Sequence, residues 1–79
     1  MTPIQSYELA KMFSARRQSR AEFIAALKRD IAAPQEAGPA GERALRGMQQ
    51  ALGGHEVALA ELHAVENDVR RILGLEHAA

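Results

Sequence analysis

The sequence predicts an all-α domain: a small antiparallel helical hairpin or three-helix bundle with one long C-terminal helix, completed by dimerisation. Three observations carry that expectation. The chain is 47% hydrophobic with three aromatic residues and no Trp, so its core must come from Leu, Ile, Val, Met and Ala, a composition that favours helix over strand. Apolar residues recur at steps of three and four through both halves. Turn chemistry is concentrated in one place, "APQEAGPAG" (33–41), where two prolines and two glycines oppose regular helix.

The 79 residues suffice for one helical domain with a thin core, since small chains bury a smaller share of their surface. The first helix is expected over about 3–17. Thr2 supplies an N-cap hydroxyl, Pro3 suits the first helical position, and Gln5 stands three residues after the cap. Its apolar face is Ile4, Leu9, Met12 and Phe13. That face runs out in "SARRQSR" (14–20), which holds no large apolar residue. Ser19-Arg20-Ala21-Glu22 then offers a second capping box ahead of Phe23, Ile24, Leu27 and Ile31, so a second helix is expected over about 19–33. The alternative is one helix to Ala33 with a polar waist; a break or kink near Gln18 is the favoured reading. Residues 34–40 form the loop, short enough to make its flanking helices antiparallel neighbours.

The third segment, about 41–73, contains the adjacent pair Gly53-Gly54. Steps of three and four from Leu45 reach Met48, Leu52, His55, Leu59, Leu62, Glu66, Val69 and Leu73 without a slip. A true interruption would reset that phase, so one helix of roughly 50 Å is expected, although two interior glycines cost it about 2 kcal/mol. Glu66 and Arg70 add an i,i+4 pair, and Gly74 suits the position after the C-cap. Residues 75–79 are expected to fray. A second stripe, Ala58, Leu62, Val65, Val69 and Ile72, makes the apolar arc wider than one hairpin partner covers. A second subunit satisfies it most simply, through Leu52, Gly53, Gly54, Leu59, Leu62 and Val69, with the glycines permitting close backbone approach.

Charge is unevenly spread although it sums to zero. Residues 1–33 hold six basic and three acidic side chains, a net of +3, and residues 34–79 hold four basic and seven acidic, a net of −3. The halves of a packed bundle would complement each other, or one half would meet an anionic partner.

Little points to catalysis. There are no cysteines, which removes thiolate ligands and nucleophiles. "HEVAL" (55–59) fails as a zinc-protease motif because Leu59 stands where the second His is required. His63 and Glu66 share a face but are too few for a dedicated metal site, and His77 belongs to the tail. No glycine-rich phosphate loop is present. The expectation is a non-enzyme without metal or cofactor. The N-terminal residues lack a secretory pattern and no apolar run approaches membrane-spanning length, so a cytoplasmic protein without membrane contact is expected.

"ELAKMFSARRQSRAEF" (8–23) resembles the first helix, turn and start of the recognition helix of the helix-turn-helix DNA-binding family. The resemblance implies a small DNA-binding regulator using residues 8–29, with Arg17, Gln18, Ser19 and Arg20 reading base edges. The leading expectation is different: a non-enzymatic protein–protein interaction module, acting as adaptor, chaperone or inhibitor, and a homodimer. Phe13, Arg16, Arg17, Arg20 and Phe23 would form its anchor patch, because arginine and aromatic side chains are favoured at interface hot spots.

Overall fold

The computed structural model describes residues 2–74. It consists of two helices, α1 (Pro3–Ala32) and α2 (Pro39–Ile72), packed against each other. Among the described residues there is no strand and no third helix, so the hairpin is the architecture realised within one chain.

α1 begins with the capping box expected from the sequence. The Gln5 N–H donates to Thr2 Oγ1 at 3.1 Å, and the Thr2 N–H donates to Gln5 Oε1 at 3.0 Å. These bonds satisfy two of the donors that a helix start leaves without partners.

The expected break near Gln18 does not occur. α1 runs unbroken for 30 residues, and Ser19, the supposed second N-cap, is in mid-helix. The waist is rich in Ala, Arg, Gln and Glu, all good helix formers. Gln18 donates to Glu22 Oε1 across one turn at 3.3 Å. The capping-box pattern at residues 19–22 is therefore permissive and unused. Continuity of α1 also removes the turn on which the likeness to helix-turn-helix proteins depends: Arg17, Gln18, Ser19 and Arg20 lie within one helix and do not open a recognition helix.

α1 ends because Pro34 disfavours the helical conformation for the residue before it. Ala33 is extended, at φ −70° and ψ 154°, and its N–H still donates to the Arg29 carbonyl. The Gln35 amide folds back over the helix end, donating to the Asp30 and Ala33 carbonyls, each at 2.8 Å, and to Ile31 O at 3.4 Å. One side chain thus serves carbonyls left without helical partners. Gly38, at φ +91°, turns the chain into α2, where Pro39 occupies the first turn. Gly41 is buried, and a Cβ there would lie 1.6 Å from the Glu36 carbonyl oxygen, so the loop closes only over a bare backbone.

α2 passes through Gly53-Gly54 as continuous helix. Of the nine positions in its three-four register, Leu45 to Val69 are all buried or half-buried, and only Leu73 is exposed. The corresponding row on α1 is Leu9, Phe13, Arg17, Arg20, Ile24, Leu27 and Ile31. Ile4, Met12 and Phe23, expected on that row, are exposed instead. α2 ends with Leu73 donating to the Val69 carbonyl and Gly74 at φ +70°. The expected frayed tail, residues 75–79, lies outside the described residues.

The result is a rod, 57 × 17 × 16 Å. Its radius of gyration is 17.5 Å, against about 12 Å for a compact domain of this length. Phe13, 5% exposed, is the one buried large hydrophobic side chain among the described residues. Two helices alone present a seam to each other and leave little interior.

Candidate interaction surface

The waist is where the sequence places its candidate anchor residues, and the structure divides them. Phe13 is in the core and has no surface to offer. Arg17 forms an ion pair and hydrogen bond with Glu66 of α2. Glu66 is only 7% exposed and is also approached to 4.0 Å by Arg70 one turn along its own helix. A carboxylate withdrawn from water needs such partners. Among the described residues no buried side-chain nitrogen or oxygen lacks a hydrogen-bond partner.

Arg20 is likewise engaged within the chain. Its Nη1 lies 2.7 Å from His55 Nδ1. Guanidinium nitrogens carry donors alone, so Nδ1 stands as the acceptor in this contact. The opposite constraint falls on the ring face: Phe23 stacks on His55 with ring centroids 5.3 Å apart and planes 6° apart. Arg17 and Arg20 therefore bridge α1 to α2 and fix the relative position of the helices. The sequence places both in an outward anchor patch because arginine is favoured at interface hot spots; in the fold each is spent on a contact with α2. The signal that finds them is the coincidence of two rows: α1 carries Arg17 and Arg20 in step between Phe13 and Ile24, while α2 carries His55 and Glu66 in step among leucines.

Arg16 and Phe23 remain at the surface, on one flank of the hairpin. With Ser19 and Arg20 they form the α1 wall of an open groove of about 410 Å³ between the helices, and Ala58, Glu61, Leu62 and Val65 form the α2 wall. Phe23 is 56% and Val65 52% exposed. The spacing explains the alignment. Met12, Arg16, Ser19 and Phe23 follow one another by four, three and four residues, as do Ala58, Glu61 or Leu62, Val65 and, two turns on, Ile72, and such residues share a helix face. Met12 and Ile72, both exposed, extend the two stripes towards the open end.

Of the residues expected to mediate self-association, Leu52, Leu59, Leu62 and Val69 are half-buried in the seam with α1. Gly53 and Gly54 are exposed, and a Cβ at either meets no atom within 4 Å. Close approach of α1 is therefore not what these glycines accommodate.

Among the described residues no group of three or more His, Cys, Asp or Glu side chains is placed to hold a metal ion, and no helix is long and apolar enough to cross a membrane. No protein-family model matches the chain, and neither a curated protein nor a solved structure matches it.

Proposed function

We propose that the chain is a protein–protein interaction module, non-enzymatic, acting as an adaptor, chaperone or inhibitor through its helical faces. The observation that carries this reading is the groove flank: Phe23 and Val65 stand more than half exposed beside Leu62, while Phe13 is the one buried large hydrophobic side chain among the described residues. Apolar surface gathered on one flank and rimmed by Arg16 and Glu61 is what a binding face presents, whereas scattered exposed residues carry no such meaning.

The anchor is accordingly narrower than the sequence alone indicates. Arg16 and Phe23 are its members on α1, with Val65 opposite. Arg17 and Arg20 support the face by holding the helices in place. A photo-crosslinking residue at position 65 should capture a protein in stoichiometric amount, and Arg16→Glu should lower that yield while circular dichroism stays helical. Failure of any protein to crosslink at position 65, with efficient capture from position 7 on another face, would overturn the reading.

A further inference from the structure

We infer that the groove between Phe23 and Val65 is filled by a second copy of this chain, two hairpins packing groove to groove as an antiparallel four-helix bundle. The inference deepens the reading of this flank as a protein-binding face, and rests on it, by naming the partner.

Surface area is the first argument. The chain exposes 5897 Å², whereas a compact monomer of 8.6 kDa exposes about 4,700 Å². The excess, roughly 1,200 Å², is comparable to the ~800 Å² that each partner contributes to a standard stable interface. One further layer of helices on one flank supplies that cover, and a two-helix rod is half of a four-helix bundle.

Charge selects the occupant. Between Lys11 and Arg20, α1 carries four basic side chains and no acid; between Gly47 and Val69, α2 carries Glu56, Glu61, Glu66 and Asp68 and no Lys or Arg. The groove therefore has a basic wall headed by Arg16 and an acidic wall headed by Glu61. A two-fold axis through the groove sets α1 of each copy against α2 of the other, because an isologous interface pairs i with j and j with i. Arg16 of one protomer then faces Glu61 of its partner, twice, with Phe23, Leu62 and Val65 of both copies enclosed. The alternative pairing, α1 on α1, places like charges together and is disfavoured.

The stripes also fit this geometry. Ala58 lines the groove on α2, and Gly54, four residues before it, shares its helix face, so the partner's bulky Phe23 meets small residues there. Stripes with steps of three and four pack at the shallow crossing angle of helical bundles.

The test is the mass of the purified full chain by analytical ultracentrifugation, from about 1 to 100 µM, with helicity followed by circular dichroism. A dimer, twice 8.6 kDa, is expected. Val65→Glu buries an uncompensated charge in the interface and should weaken association on the order of 100-fold. Tyr7→Glu, at a more exposed residue outside the groove, should leave the mass unchanged. Arg16→Glu and Glu61→Arg should each weaken the dimer, and the double exchange should restore it, an outcome that general destabilisation does not produce. A monomer at 100 µM overturns the inference, as does a dimer indifferent to Val65→Glu and to both charge reversals. A monomer that still crosslinks to another protein through position 65 passes the groove to a different partner and leaves the proposed function standing; a monomer that captures nothing there removes both.

Discussion

At the loop end of the hairpin, half-buried aliphatic residues, Leu27 and Ile31 on α1 with Leu45 and Met48 on α2, line the seam, and the connection is closed by Gln35 and the bare backbone of Gly41. At the waist, about three turns away, the same rows are occupied by Arg17, Arg20, His55 and Glu66. Aliphatic packing gives energy with little preference for one register, since neighbouring leucines are nearly interchangeable. Buried charges do the reverse: desolvation offsets most of their attraction, while any displacement leaves one of them unpaired. Stability thus comes chiefly from the ends of the seam and alignment from its middle.

The largest effect is expected where the loop end tolerates no side chain. Gly41→Val drives carbon into the Glu36 carbonyl and forces the connection to rebuild, at a cost of about 3 kcal/mol or more, visible as a sharply lowered urea midpoint. At the waist, Glu66→Ala leaves Arg17 without its carboxylate. Removing one partner of a fully buried pair costs several kcal/mol; Arg17 keeps 30% of its side-chain surface in water, so about 2 kcal/mol is expected. The paired change Arg17→Leu with Glu66→Leu should recover most of that loss in chemical denaturation. A double variant no more stable than Glu66→Ala would mean that the waist stabilises as well as aligns, and the contrast between the two regions would fail.

How far the two regions were legible in the sequence follows from the same contrast. The loop, the Thr2 and Gln5 cap and the α2 row announce themselves, because proline, glycine, capping residues and regular apolar steps act locally. Arg17 and Arg20 break the apolar step on α1, and a one-helix reading turns that into a helix boundary. Their role depends on Glu66 and His55, 49 and 35 residues away, and so becomes visible only once the chain is folded back on itself. Gln35 was hidden for a related reason: glutamine in a loop has no fixed meaning until its amide meets three carbonyls.

Two smaller changes sharpen the comparison. Gly53 belongs to neither region, and a Cβ there meets no atom within 4 Å, so Gly53→Ala should raise stability by about 1 kcal/mol through helix propensity alone, read as a higher melting temperature. A fall would show that the backbone there is not the regular helix described. Gln35→Ala should cost about 1 kcal/mol and reduce amide-exchange protection around the end of α1, with the waist unaffected.

The six-residue connection also sets an order of assembly. Contacts beside the loop join residues near in sequence, and those further along join partners 35 and then 49 residues apart, with a loop-closure entropy that rises slowly with each span. Once the turn has closed, each rung shortens the loop that the next must close, so the rod assembles like a zipper from residues 33–38 outward. The other end, where Ile4 and Ile72 stand exposed, closes over the longest span and should open first, read as the lowest amide-exchange protection along the two helices.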